Sequence, residues 1–213
     1  LAPYQDYSEF LRSRLQLLLK NALIGGICVF FVLALFMRFR LALWVSFGIP
    51  ISFLGTLWVM PTLDVSINMM SLFAFLLVLG IVVDDAIVVS ENIYTHVQNG
   101  YDGLTAGIKG AREVAVPVIF SVMTTIAAFA PMAMVSGNTG KVLKGIPLIV
   151  IPTLLFSLLE SMWALPNHLS HLKAPDLKKK TVNPFTLIQN GFGRFLNWFI
   201  HSVYRDFLEV CLK

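Results

Sequence analysis

Charged residues are scarce in this sequence. Only 13% of its 213 residues are Asp, Glu, Lys or Arg, about half of the usual 25%. With so little charge and so much apolar surface the chain is neither disordered nor collagen-like. Cysteine occurs twice, at Cys28 inside an apolar run and at Cys211 in the tail; no bridge is implied, and neither stands in a redox or metal motif. Strand-like alternation is missing, and so is a signal-peptide pattern at the start. The net charge of +4 is small, with no basic patch interleaved with exposed aromatics, so nucleic acid is not an expected partner.

What the sequence has in excess is apolar surface, 57% of residues with a mean hydropathy of +0.77. A soluble protein of this length has no interior large enough to hide it, so the chain is expected in a membrane, with lipid as its surroundings. Five hydrophobic runs stand near 22–37, 41–61, 69–90, 114–135 and 145–165, against the roughly 20 residues that span a bilayer. Pro50, Pro117, Pro131, Pro147 and Pro152 lie within them, which membrane helices tolerate. The fold class expected is an all-α membrane protein: five transmembrane helices plus a cytoplasmic-side amphipathic surface helix. Residues 1–20 form an amphipathic lead-in with Leu11, Leu15, Leu18 and Leu19 on one face, and 21–168 the bundle. Residues 169–184 are a polar linker and 185–213 the surface helix, with Phe185, Ile188, Phe192, Phe195, Phe199, Val203 and Phe207 at helical spacing. The missing initial Met suggests a chain that begins mid-protein.

Loop charges set the orientation. Arg38, Arg40, Lys109, Arg112, Lys173, Lys178, Lys179, Lys180, Arg194, Arg205 and Lys213 fall on one side; Arg12, Arg14, Lys20, Lys141 and Lys144 fall on the other. The richer side is cytoplasmic, which leaves the start of the chain periplasmic and its end cytoplasmic.

The third run carries Asp84 and Asp85 side by side. Insertion scales charge about 2.5–3.5 kcal/mol for an Asp at a helix centre, hence roughly 5–7 kcal/mol for the pair. Such a pair is expected to face protein or water, with both carboxyls in one inter-helix crevice and Gly80, one turn earlier, admitting a close neighbour. Two adjacent carboxyls in a low dielectric do not easily both ionise, so one is expected to hold a proton, the chemistry that proton coupling needs. A satisfied polar pair that pins helix packing is the plainer reading. An intramembrane aspartyl protease would need its two Asp on different helices, one after Gly-x-Gly; here both share a helix and follow Gly-Ile-Val-Val. Zinc would want His or Cys at turn spacing inside the membrane. Glu91 and Asn92 read as helix-end polar groups and Glu160 as an interfacial or helix–helix contact, while His168 and His171, at i, i+3 spacing but beside a lysine-rich tail, are not expected to form a metal site. Thr124 and Thr125 are expected to bond back to their own helix.

The segment Gly80–Asn92 (GIVVDDAIVVSEN) resembles the resistance-nodulation-division (RND) superfamily, specifically the acriflavine-resistance-type multidrug efflux pumps of Gram-negative inner membranes. The likeness continues through Leu17–Gly25, Gly48–Gly55, Ser66–Phe75, Thr124–Met134 and Glu160–Leu169 and covers nearly the whole chain. It implies that the five spans are the second to sixth of twelve and that the tail is the surface helix before the seventh. It also implies that Asp84 and Asp85 are the proton relay of a drug/proton antiporter, answered by a lysine of the tenth helix. The proton is then the coupling ion, with no cofactor and no enzymatic step. Drugs would bind in periplasmic domains after the first and seventh helices, and the pump would be a homotrimer with a periplasmic adaptor and an outer-membrane channel. Lys141 and Lys144, outside the membrane, do not replace the relay lysine, so the chain is expected to be a truncated piece that does not pump alone. A non-transporting helical scaffold or sensor module of RND-like fold is the alternative.

The orientation yields a direct expectation. Cysteines placed singly at Lys178, Lys179 or Lys180 should react with an impermeant maleimide only from the cytoplasmic side; labelling of intact cells from the periplasm would invert the topology.

Overall fold

The computed structural model describes residues 7–171 and, from the tail, residues 191, 194, 198–205, 208 and 211. Five helices are long and apolar enough to cross a membrane: Leu19–Phe36, Phe39–Leu63, Met69–Gln98, Gly103–Met134 and Pro147–Leu169. No strand occurs among the described residues.

Helix α1 (Tyr7–Phe36) is one unbroken helix. No break falls at residue 20, because the junction of lead-in and apolar run holds neither Pro nor Gly. Helix α2 (Phe39–Val59) continues through Pro50 into a 3₁₀ turn, Met60–Leu63, and stops at Asp64, the one described non-glycine residue with positive φ (52°). A capping box starts α3 (Met69–Gln98): the Asn68 side chain accepts from the Met70 and Ser71 amides while Ser71 Oγ accepts from the Asn68 amide. Asp102 caps α4 (Gly103–Phe129) by accepting from the Thr105 amide at 3.2 Å. The Thr105 hydroxyl and amide hold its carboxyl below the usual carboxylate range.

A short helix α5 (Gly137–Leu143) precedes α6 (Pro147–Leu159), which passes through a π-helical turn, Glu160–Ala164, into α7 (Leu165–Leu169). In the tail Ile200–Tyr204 is also a π turn, and Trp198, Phe199, Ile200 and Tyr204 are exposed. Residues 172–184 of the linker and most of the anticipated surface helix lie outside the described residues. Both cysteines are free and exposed.

Central position belongs to α3. Half of its apolar stretch is buried, against 11% for α1 and for α4, and the latter two leave residues such as Leu23, Phe31, Val116 and Phe120 exposed. The core runs along Ala74, Val78, Val82, Ala86, Val89 and Ile93 of α3 against Ala42 and Val45 of α2 and Ile149, Val150 and Leu154 of α6. In lipid the driving force for such packing is close contact rather than water exclusion, which favours small residues.

The glycines show where contact is closest. A Cβ on Gly110 of α4 would lie 2.6 Å from the Ile93 Cα of α3, and one on Gly107 would lie 3.0 Å from the Pro166 carbonyl oxygen. On α2, Gly48 faces the Glu160 side chain and Gly55 the Phe156 ring. The expectation for Gly80 is corrected: a Cβ there meets nothing within 4 Å among the described residues. It sits on the outward side of α3, while the buried side is lined by Val and Ala.

Helices α3 and α4 outrun their apolar stretches. Thirty residues extend about 45 Å, against a hydrocarbon core of about 30 Å. The ends therefore project as an antiparallel hairpin, closed by Asn99 and Gly100, whose φ of 89° suits glycine.

Gly110→Ala should cost about 1–3 kcal/mol, because its methyl strikes backbone rather than a flexible side chain. Gly145→Ala, where the methyl makes only ordinary contact, should be near neutral. Thermal midpoints in detergent, compared with the parent, decide the matter.

Candidate functional site: a carboxylate pair on the central helix

Successive residues on a helix point about 100° apart, and this angle divides the Asp pair. Asp85 is 7% exposed and shares a face with Val78, Val82, Val89 and Ile93, all buried to 2% or less. Asp84 lies on the opposite flank with Phe73, Leu76, Gly80, Val88, Glu91 and Thr95, all exposed. The expectation that both carboxyls enter one crevice is corrected. Helices α2, α6 and α4 pack around the Asp85 face, and no described helix covers Asp84. No hydrogen bond or ion pair reaches either carboxyl among the described residues. Chemically, one acid is enclosed in apolar side chains and its neighbour is open to whatever occupies the outer face.

About two turns beyond the pair, α3 and α4 are joined by polar contacts that sequence reading only half identified. Asn92 donates to the Gly110 carbonyl at 2.9 Å and to Glu113 Oε2 at 3.1 Å, and His96 Nε2 lies 2.8 Å from the same oxygen. His96 meets the Tyr101 ring edge-on at 5.5 Å, and Lys109 Nζ lies 4.2 Å from that ring's centre. Arg38 covers Tyr94 at 4.8 Å. His96 and Glu113 were missed; the i, i+4 spacing of Asn92 and His96 at the polar end of a long apolar run was the available signal. Glu91, by contrast, is exposed.

The remaining sequence candidates fall elsewhere. Glu160 is buried at a helix–helix contact against α2. His168 stacks flat on Trp44, with ring centres 4.1 Å apart. Thr124 and Thr125 donate to the carbonyls of Phe120 and Ser121, as their spacing required. No group of three or more His, Cys, Asp or Glu that could hold a metal occurs among the described residues.

Comparison with known proteins matches the chain as a whole. Residues 1–213 fit the model of the AcrB/AcrD/AcrF family. The chain belongs to this family. It is 32% identical over 201 residues to the multidrug resistance protein MdtC of Yersinia enterocolitica, covering 91% of this chain and 20% of that protein. Against MdtC of Pectobacterium carotovorum the identity is 31% over 204 residues, with 92% and 20% covered. An uncharacterized transporter of Haemophilus influenzae is 46% identical over 106 residues, half of this chain and 10% of that protein. The chain thus spans no more than a fifth of the length of these curated relatives. Membership in the AcrB/AcrD/AcrF family agrees with the RND resemblance and makes this a multi-pass membrane protein of a transporter family.

Asn92→Leu should lower stability by about 1–2 kcal/mol, since the cross-helix bonds to Gly110 and Glu113 vanish and nothing replaces their donor. Glu91→Gln should leave the thermal midpoint unchanged. Equal effects of the two would mean that the α3–α4 contacts do not hold the hairpin.

Proposed function

We propose that this chain is the transmembrane part of a proton-driven multidrug efflux antiporter of the bacterial inner membrane, with Asp84 and Asp85 as the carboxylate half of its proton relay. The observation that carries the reading is the division of the pair in mid-membrane: Asp85 enclosed by Val82 and Val89, Asp84 on the bare outer flank of α3. An acid kept in hydrocarbon against a cost of this size is a functional group by default. Its uncovered neighbour is suited to a cationic partner from another helix.

In this mechanism a proton entering from the periplasm neutralises the pair, weakens its attraction to that cation, and allows α3 to repack against its neighbours. Each proton moving inward contributes about 2.3 kcal/mol per 100 mV of membrane potential. Residues 7–171 offer the relay acids and the bundle around them. The family's architecture assigns the answering lysine, the drug-binding periplasmic domains and the trimeric assembly with adaptor and outer-membrane channel to other segments and chains, so the five-helix unit does not pump alone. The orientation follows the loop charges, with the start of the chain periplasmic and residue 213 cytoplasmic.

In the full-length protein, Asp84→Asn and Asp85→Asn should each reduce proton-coupled efflux to background while membrane insertion and expression stay at parental level. Asn keeps the size and polarity of Asp but cannot cycle a proton. Export against a gradient by a well-expressed double Asn variant would make the pair structural rather than a proton relay.

A further inference from the structure

Of the buried polar side chains other than Asp85, five gather along one line, the contact between α2 and α6. On α2, Thr56, Ser52 and Gly48 follow each other at intervals of four residues; on α6 and its π turn, Thr153, Ser157 and Glu160 follow at four and three. The two helices cross the membrane in opposite directions, so the series meet in reverse order. At one end the Thr56 hydroxyl lies 2.8 Å from the Thr153 hydroxyl and 2.9 Å from the Ser52 carbonyl, so its single proton has two acceptors within reach. Thr153 itself donates to the Ile149 carbonyl. At the other end the Glu160 carboxyl lies over Gly48, where a Cβ would stand 2.5 Å from Oε2. Between them Ser52 donates to the Gly48 carbonyl and Ser157 to the Val82 carbonyl of α3, the latter at 3.5 Å. All four hydroxyl residues are exposed by 1% or less.

Glu160 closes this seam in an unusual state. It is 6% exposed, and among the described residues no hydrogen bond or ion pair reaches its carboxyl. Gly48 is the tenth of the 21 residues of α2, so the carboxyl lies near the middle of the membrane. The charged groups on the packed elements are Arg38 and Arg40 at the start of α2, on the Gly48 side of the contact but ten and eight positions before Gly48, and Asp64 just past the far end of α2. Helix α3 carries Asp84, Asp85, Glu91 and His96, α4 carries Lys109, Arg112 and Glu113, and α7 carries His168; none pairs with Glu160. A carboxylate here would lack any donor, whereas the neutral acid brings its own proton. The acid also stands at the first residue of a π turn, a feature that concentrates at functional sites and leaves a helix slack to shift its register.

We propose that Glu160 is a proton-binding group of its own, reached along the Thr56–Thr153–Ser52–Ser157 seam and distinct from the Asp84–Asp85 pair. A proton arriving from water at the Thr56 end passes to the Glu160 carboxylate as each hydroxyl turns from its backbone carbonyl toward the next group, donating its own proton onward as it accepts the incoming one, and this gives the neutral acid against Gly48. Its return along the same line restores the carboxylate, which needs α2 and α6 to part enough for water to solvate it.

Infrared spectroscopy of the full-length protein in lipid tests this with Asp84→Asn and Asp85→Asn already in place, so a failed Asp-pair relay and a failed Glu160 site give separate answers. A protonated-carboxyl band should grow as pH falls, disappear in Glu160→Gln, and change position in Glu160→Asp, which keeps the acid and moves it. On transfer to deuterated water that band should exchange several-fold more slowly in Thr153→Val, which interrupts the seam without touching the carboxyl. A titrating band unchanged by both Glu160 substitutions overturns the site, and an exchange rate unchanged by Thr153→Val overturns the route.

Discussion

In hydrocarbon an acid has three options: lose its charge, find a partner, or draw water to itself. The bundle described here is arranged around that choice. Helix α3 is enclosed by α2, α4 and α6 on the side that bears Asp85 and left bare on the side that bears Asp84, so one turn of helix offers two different solvents to two identical groups. Contacts with α2, α4 and α6 hold α3 in this intermediate position. A fully buried helix would have to neutralise both acids, and a peripheral one would present both to lipid.

Holding it there depends on residues with almost no side chain. Gly110 lets α4 ride on the Ile93 backbone, Gly107 admits the Pro166 carbonyl, and Gly48 and Gly55 seat Glu160 and Phe156. Because lipid tails are as apolar as leucine, a bundle gains little from merely covering apolar faces. The gain comes from dispersion contacts at short range, and four glycines on α2 and α4 set that range. Prolines are tolerated at Pro50 of α2, Pro117 of α4 and Pro152 of α6, where neighbouring helices hold the segments in place.

Helix existence was legible in the sequence because the apolar runs are long and separated by charge. Five runs became five spans, and the Asp pair stood out against Val and Ile. Helix ends were less legible. Residues 91–98 and 103–113 are polar enough to end an apolar run, yet propagation needs only an intact hydrogen-bond ladder, and Asn68 and Asp102 supply the starts. Facing was the least legible property. Period alone places Asp84 and Asp85 on different flanks but does not say which flank meets a neighbour. Gly80 looked like a packing glycine, whereas Gly110, in a stretch that reads as a loop border, is one. The contact of Glu160 with Gly48 and the sharing of Glu113 by Asn92 and His96 join residues 112, 21 and 17 positions apart, a relation no local pattern carries.

The overshoot of α3 makes it a lever. Thirteen residues separate Asp85 from Gln98, an arm of about 20 Å, and Asn92 and His96 fasten its outer part to α4. A pivot of a few degrees near Asp85 would therefore displace the far tip by ångströms, with α4 carried along rather than left behind. In the proposed relay, chemistry as small as one proton at Asp85 would then be reported as mechanical travel at the bend where Asn99 and Gly100 turn the chain.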